Sequence, residues 1–421
     1  MENKQMNQLT TYIISCSLAL SVGFSETLRG QDGQAGAPGA FLYNGVGARA
    51  LGMGGAFTAL SNDATAIYWN PAGLATQNPF QVSFMHGILF MDTAVDFLAA
   101  SAPTRNLGSF AVAVLALSSG EFEQRDGLNN PVGTFSSRDL AFMASWSKEI
   151  LRNFSVGLNY KVVSQKVLSY SGSGHGLDLG IKKRFFDRID GGLMIVNLLQ
   201  PSVSLVQESE SYPRQFRAGL ATSFVNDNLV VSLDVSKLSG WGDVGLHLGA
   251  EYKLLDKVAL RAGMNDGNLT FGAGFSLDKL GVGYSNGAAS ELGSSHRFSL
   301  DYTFGGFGVG ADAAPRVFSP TGELNITRIK LAVRSRTDVK EWDFVIVDHA
   351  GQVVRRFSTA GKPPTELVWD GRNGEGTLVA DGRYGYRFEV KTSDGRHLNA
   401  SGSLVTIDSS GPQGIVEGAE E

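Results

Sequence analysis

Between about Phe80 and Phe304 the sequence alternates between apolar and polar residues. In Leu269-Thr-Phe-Gly-Ala-Gly-Phe-Ser-Leu277 the odd positions are apolar and the even ones are Thr, Gly or Ser. Val244, Leu246, Leu248, Ala250 and Tyr252 interleave with Gly245, His247, Gly249 and Glu251. Phe298, Leu300, Tyr302 and Phe304 interleave with Arg297, Ser299, Asp301 and Thr303. A period of two gives each face of a strand its own class of side chain. About fourteen such segments can be counted, the size of a mid-sized membrane barrel. They centre near Val82, Val95, Val112, Phe142, Leu158, Leu179, Met194, Ala218, Leu233, Leu248, Leu260, Ala273, Val282 and Leu300.

A soluble sandwich also alternates, but three features point to a barrel. Most segments are near the roughly 9–11 residues of a tilted membrane strand. Their polar face is made of Gly, Ser, Asn, Asp and Arg, which suits a wet or plugged lumen. An even count closes a barrel without an edge and leaves both ends on one side. The expected fold is therefore all-β: a transmembrane barrel of about fourteen strands, followed by a smaller β-sandwich.

Composition agrees. The 53 glycines in 421 residues are well above a usual share of about 7%. Charged residues make up only 18%, yet mean hydropathy is near zero at −0.03. No run of about 18 apolar residues follows the leader; the longest, Phe110-Ala-Val-Ala-Val-Leu-Ala-Leu117, is the size of a strand. A net charge of −5 gives no basic footprint, so nucleic acid is excluded as a partner.

Residues 1–25 read as a secretory signal peptide, with an apolar stretch Tyr12–Phe24 behind Lys4. The single cysteine, Cys16, lies inside it, so no intrachain disulfide can form. Ile13-Ile-Ser-Cys16 resembles a lipoprotein cleavage box, but the apolar segment ahead of it is short, and the leader reading is preferred. Residues 26–79 form an N-terminal linker and hatch, and 80–304 the barrel. Residues 305–317, Gly- and Ala-rich, read as a linker expected to couple two units loosely. Residues 318–409 have shorter strands, more charge, and turn signals at Asp370-Gly, Asp381-Gly and Asp394-Gly, as in a sandwich. Residues 410–421 are an acidic tail.

The densest motif is Gly45-Val-Gly-Ala-Arg-Ala-Leu-Gly-Met-Gly-Gly-Ala-Phe-Thr-Ala59, followed by Asp63-Ala-Thr-Ala-Ile-Tyr-Trp-Asn-Pro-Ala-Gly-Leu74. Gly45-x-Gly47-x-x-Ala50 superficially fits a dinucleotide fingerprint, but no strand precedes it and no βαβ unit follows. The glycines suggest backbone lying close against backbone, or bends needing positive φ. Asp63 is placed to cap a short helix ending at Trp69, and Pro71 stops it. Such a coil ahead of a barrel reads as a plug.

This block resembles the N-terminal signature of the PorV/PorQ family, which is related to the FadL-type outer-membrane transporters. The resemblance implies a fourteen-stranded barrel whose hatch carries the Asn-Pro-Ala element, here Asn70, Pro71 and Ala72, with Gly52, Gly54, Gly55 and Asp63 packing or gating it. PorV-like membership implies a role in type IX secretion, with exported proteins or secretion components as partners. FadL-like membership implies passage of hydrophobic small molecules. A third reading makes the barrel an anchor for a periplasmic Ig-like domain. Outer-membrane lipid is the common partner. The C-terminal run Trp369-Asp-Gly-Arg-Asn-Gly-Glu-Gly with Val379-Ala-Asp-Gly-Arg-Tyr384 resembles the FlgD Ig-like repeat. Trp369 is then a core anchor, Gly374 and Gly382 are turn residues, and Tyr384 is a packed strand residue.

Nothing points to catalysis, a metal or a cofactor. The six histidines (His86, His175, His247, His296, His349, His397) are scattered and lack metal-ligand spacing. No Gly-x-Ser-x-Gly elbow occurs. Arg217, Arg261, Arg297, Asp234, Asp301 and Glu251 fall on lumen-facing positions, as a charged constriction or as a salt-bridge lattice.

Overall fold

The computed structural model describes residues 36–409, except 78, 187, 226–227, 255–256, 278, 290–292, 324, 336 and 394–396. The signal peptide and acidic tail lie outside the described residues. In chain order the strands of the first unit are β1 (Pro79–Ile88), β2 (Ala94–Pro103), β3 (Ser109–Ser118), β4 (Phe122–Arg125), β5 (Pro131–Phe135), β6 (Ser137–Leu151), β7 (Phe154–Val167), β8 (Tyr170–Phe185) and β9 (Ile189–Leu199). There follow β10 (Ser202–Ser204), β11 (Ser209–Ser211), β12 (Gln215–Phe224), β13 (Leu229–Leu238), β14 (Trp241–Leu254), β15 (Val258–Asn265), β16 (Asn268–Leu277), β17 (Leu280–Ala289) and β18 (Gly293–Gly306).

All except the hairpins β4–β5 and β10–β11 join one closed barrel of fourteen antiparallel strands. Each of the segment centres read from the sequence falls on a different barrel strand. Closure comes from β1 on β18, with Pro79 opposite Gly306. The barrel therefore begins and ends at the same end, here called the near end. The two hairpins lie at the far end.

The alternation is what builds the wall. On β6, Ala141, Met143, Ser145 and Ser147 turn inward, while Phe142 and Trp146 face out. The outward apolar residues include Phe84, Leu98, Leu158, Leu193, Leu220, Leu260, Phe271 and Leu300, all exposed. A closed ladder satisfies every strand edge, as a hydrocarbon surround requires.

The lumen face is divided. Across β1, β2, β3, β6 and β7 it is apolar at mid-height: Met85, Val95, Phe97, Ala99, Ala111, Ala113, Leu115, Ala141, Met143 and Val163 are buried against Phe41, Leu42, Ile67 and Leu74 of the hatch. From β8 round to β18 glycine, serine and charged groups such as Asp178, Lys182, Asp234 and Glu251 predominate, with Ala221 and Val230 as apolar exceptions.

The second unit is a two-sheet sandwich. One sheet runs β19 (Gly308–Ala314), β21 (Thr327–Arg334), β24 (Glu366–Trp369). The other runs β20 (Val317–Phe318), β26 (His397–Ile407), β25 (Gly382–Thr392), β22 (Val339–Val347), β23 (Val353–Ala360). Phe318, Ile329, Trp342, Phe344, Trp369, Tyr384 and Phe388 form its core.

Residues 305–317 are not a loose linker. Gly308–Ala314 is a full strand paired with β21 along its length, and only Phe307 separates it from β18. Its Gly and Ala content misleads because an edge strand is held by its backbone pairing, and small side chains suffice to pack Val309, Ala311 and Ala313 on the core. A further contact between the units is an exposed ion pair, Arg105 to Asp338 at 3.1 Å.

Candidate functional site: the hatch and its seat

The hatch enters at the far end and leaves at the near one. At the far end the Tyr43 hydroxyl donates to the Pro213 carbonyl at 3.1 Å, and Gly39 lies against the Tyr212 ring. The chain then forms short helices at Ala48–Gly52 and Ala66–Trp69 and a tight 3-10 segment at Pro71–Thr76. Its centre is aromatic: Trp69 meets Phe57 and Tyr68 edge-on at 6.2 and 5.1 Å, and Arg217 stacks over Trp69 at 4.9 Å. Burial raises the pKa of the Tyr68 hydroxyl, which stays protonated and donates to Leu42 O at 2.6 Å.

The residues singled out in the motif are all on this path. Gly52 faces Gly272, where an added Cβ would lie 3.1 Å from the Gly272 Cα. Gly54, at φ 66°, presses against the carbonyls of Met264 and Leu248, and a side chain there would overlap them. Gly55, at φ 78°, lies under Trp69. Asp63 sits one turn before the second helix, but it accepts the Thr65 N–H at 3.0 Å and pairs with Arg49 at 3.5 Å. The helix itself begins after Thr65 without a side-chain cap, so Asp63 sets the preceding turn instead of capping the helix.

Asn70 is fully buried. Its amide donates to Thr58 O at 2.9 Å and to Ile181 O on β8 at 3.0 Å, and its Oδ1 accepts the Ala72 N–H at 3.1 Å. Pro71 fixes the start of the 3-10 segment and lies on Gly157 of β7. The Ala72 carbonyl accepts the Ser147 hydroxyl of β6 at 3.2 Å. The Asn-Pro-Ala element is thus a clasp between the hatch and three adjacent strands.

The wall answers with glycines that sequence reasoning assigned only to a polar face. Gly157, Gly180, Gly192, Gly249 and Gly263 sit on β7, β8, β9, β14 and β15. At each of them an added Cβ would lie under 3.0 Å from hatch atoms. The signal was in the sequence, as glycine at alternating lumen positions of successive strands. Its meaning, direct backbone-on-wall contact, needed the hatch in place.

Charge does the rest. Arg49 gives two bonds to Glu251, at 2.9 and 2.8 Å, and Arg261 a third at 2.7 Å. Asp234 Oδ2 accepts the backbone N–H groups of Phe57 and Thr58 at 3.0 and 2.7 Å. Lys182 Nζ donates to Ser61 O at 3.0 Å. Lys161 meets Asp178 at 2.7 Å, and Asp178 also takes the Asn197 N–H at 2.7 Å. Asp301 accepts the Ser83 hydroxyl at 2.5 Å, and Arg297 bonds Ser295 at 2.6 Å. The lumen charges therefore form a lattice: Glu251, Asp234 and Lys182 seat the plug, and the bonds of Lys161, Asp178, Asp301 and Arg297 brace the wall behind it. Arg49, Lys161, Asp178 and Lys182 are members that the sequence reading did not single out.

The lumen is packed at mid-height and covered by Val203 and Tyr212 of the far-end loop, both buried. A polar cavity of about 440 Å³ lies between the hatch and the wall, lined by Arg49, Asp63, Glu251, Lys257, Arg261 and Asp301 among others. Among the described residues no group of three or more His, Cys, Asp or Glu converges as a metal site would.

In the sandwich Trp369 is 1% exposed, and its indole N–H donates to Arg372 O at 2.9 Å. Tyr384 donates to Ala380 O at 2.6 Å, four residues upstream, the tyrosine corner of Ig-like sandwiches. Gly374 sits in the turn between Asp370 and Gly376, and Gly382 opens β25 at φ 150°.

Residues 322–396 match the FlgD Ig-like domain, and residues 27–183 match an uncharacterised protein family, UPF0164. No curated protein sequence matches. Among solved structures the chain is similar to the Pseudomonas putida toluene transporter TodX, at 15% identity over 62% of this chain and 98% of that one, TM-score 0.48. It is similar to a Pseudomonas aeruginosa FadL homologue at 13% identity over 62% and 98%, TM-score 0.43. The KdgM porin shares 12% identity over 53% and 99%, TM-score 0.32. Similarity at this level adds nothing to the strand register, which establishes the closed barrel; the family match over 322–396 makes the sandwich a FlgD-type Ig-like domain.

Proposed function

We propose that this is a non-enzymatic outer-membrane barrel that admits small apolar molecules when its hatch shifts, with the sandwich on the periplasmic side. The observation that carries the reading is the divided lumen. Most of the polar bonds that seat the hatch come from the β8–β18 side, with Ser147 of β6 and Gln81 of β1 added, while Phe41, Leu42 and Leu74 meet an apolar wall of Met85, Phe97, Leu115 and Met143. A hatch that pivots on its polar seat opens an apolar seam, and apolar solute is what such a seam can wet. Gly52, Gly54, Gly55, Asp63, Asn70, Pro71 and Ala72 then hold the closed state. The periplasmic placement is our reading, supported by the two long hairpin excursions, β4–β5 and β10–β11, both lying at the far end, since outer-membrane barrels keep short turns on the periplasmic side and longer loops outside.

The test is uptake of labelled toluene and of labelled glucose by cells producing the protein in a host lacking its own hydrocarbon channels. Faster entry of toluene alone supports the reading. Equal rates with and without the protein, at matched outer-membrane levels, would defeat it.

A second reading, PorV/PorQ-type service to protein export, is favoured by Leu128, Val132 and Val206, exposed at 84%, 56% and 68% on the far-end hairpins. Apolar groups held in the open suit a protein partner. Copurification of type IX components with the intact protein, lost on removing the β4–β5 hairpin, would favour it over transport.

A further inference from the structure

Near the far end of the barrel two cations face each other on the outer wall. Arg138 of β6 is paired in register with Lys166 of β7. Both lie on outward positions, in step with Leu140 and Phe142 on one strand and Ser164 and Val162 on the other, and both are exposed. Neither side chain has a hydrogen bond or ion pair among the described residues. Like charges directly opposite on a sheet repel, so this pair costs stability unless something anionic lies between them.

The acids nearby do not supply it. In the β4–β5 hairpin Glu123 pairs with Arg125 at 2.9 Å, and Asp126 accepts the N–H groups of Leu128 and Asn130 at 2.9 Å. Glu121 makes no ion pair with either cation. Other outward ionisable groups near this end are partnered: His86 meets Asp96 at 2.7 Å, and Lys237 bonds the Gly242 carbonyl.

The register continues the site in both directions. In the same row as the cations, Ser118 of β3 lies opposite Arg138 and Ser171 of β8 opposite Lys166. One row nearer the middle, Leu140, Ser164 and Ser173 line up. The next row holds Phe142, Val162 and His175, and Tyr160 Oη lies 2.6 Å from His175 Nδ1. Below these the wall is Ala144, Trp146, Leu158 and Leu179, without charge. Cations, then hydroxyls, then an aromatic step, then hydrocarbon is the depth profile of one lipid lying against the wall.

From this we infer that Arg138 and Lys166 form a binding site for the phosphate monoester of a membrane lipid. Its dianionic headgroup bridges the two cations, Ser164, Ser171 and Ser173 serve its oxygens, and its acyl chains run over Leu140, Phe142, Val162 and Leu158. The inference does not depend on what passes through the lumen; it rests only on the outward wall facing lipid, which flotation of the protein with vesicles reads separately.

The experiment is native mass spectrometry of the full chain released from vesicles of equal phosphatidic acid and phosphatidylcholine. The unaltered protein should retain phosphatidic acid in excess. The double variant Arg138→Gln/Lys166→Gln should retain roughly tenfold to thirtyfold less, as expected for two cations at an anionic surface. The exchanged pair Arg138→Lys/Lys166→Arg should keep the preference. Retention by the unaltered protein should fall with added salt, a reading that stands even if a variant fails to fold. Floating protein with no preference, a preference untouched in the double variant, or insensitivity to salt would overturn the site. So would full displacement by inorganic phosphate at the lipid's own concentration, since the site would then hold free phosphate and no lipid.

Discussion

Asp234 Oδ2 lies 2.7 Å from the backbone nitrogen of Thr58 and takes the neighbouring Phe57 N–H with the same oxygen. One wall carboxylate thus holds the bend at the centre of the hatch. In Asp234→Ala the buried Thr58 N–H loses its acceptor, at about 1–3 kcal/mol, while the Phe57 N–H keeps its second bond, to Gly55 O at 2.9 Å. The variant should show more frequent open events in planar bilayers than the parent. Asp234→Asn, which keeps one acceptor oxygen, should fall between them. A variant barrel as quiet as the parent would remove Asp234 from the seat.

Asn70 makes its three bonds without a solvent-facing atom. Asn70→Ala should cost about 1–3 kcal/mol of hatch stability, chiefly through the buried Ala72 N–H left without its acceptor, with the amide bonds to Thr58 O and Ile181 O lost as well. Asn70→Asp should be worse, because a carboxylate oxygen would then face two carbonyl oxygens. Hydrogen exchange of residues 57–76 checks this: protection should rank parent, Ala, Asp. If Asp matched the parent, the clasp assignment would be wrong.

The wall glycines predict a sharp contrast. Gly263→Ala sets a Cβ under 3.0 Å from the Gly54 nitrogen, an overpacking of about 1–3 kcal/mol or more. Gly281→Ala faces the same lumen, but its nearest neighbour is the Asp301 Cβ at 3.5 Å, ordinary contact. Urea unfolding of the reconstituted protein, read by gel mobility without heating, should move for the first and hardly for the second. Equal shifts would mean that the hatch does not press on the wall where the structure places it.

The sandwich should fold alone only if β19 is included. A fragment 308–409 should melt cooperatively, whereas 318–409 leaves β21 with an unpaired edge and bares Ile329 and Leu331 of the core. Within the longer fragment, Trp369→Ala should cost about 3–5 kcal/mol, much of what a small domain has. Equal melting of the two fragments would restore the linker reading of 305–317.

Barrel strand positions were legible because period two survives wherever one face meets hydrocarbon. The pattern blurs at β2 and β3, where Phe110-Ala-Val-Ala-Val-Leu reads as continuous apolar sequence. There the lumen side also packs on apolar hatch residues, so both faces select alike. The Asn-Pro-Ala element stood out in sequence, but its partners did not: Ile181 is 111 positions from Asn70, and no local pattern encodes that distance. The charges were legible as lumen-facing, as a constriction or a salt-bridge lattice, but not by partner, since the same alternation would line an open pore. β19 was missed because composition describes what side chains can bury and is silent on backbone pairing.

With Phe307 alone between β18 and β19, the two units share a lever without slack. β18 is the strand that closes the barrel on β1, and its Ser299 holds the Ala48 nitrogen of the hatch at 2.8 Å. Whatever grips the sandwich and pulls or twists it loads the barrel's closing seam first, and the plug's first helix one bond later.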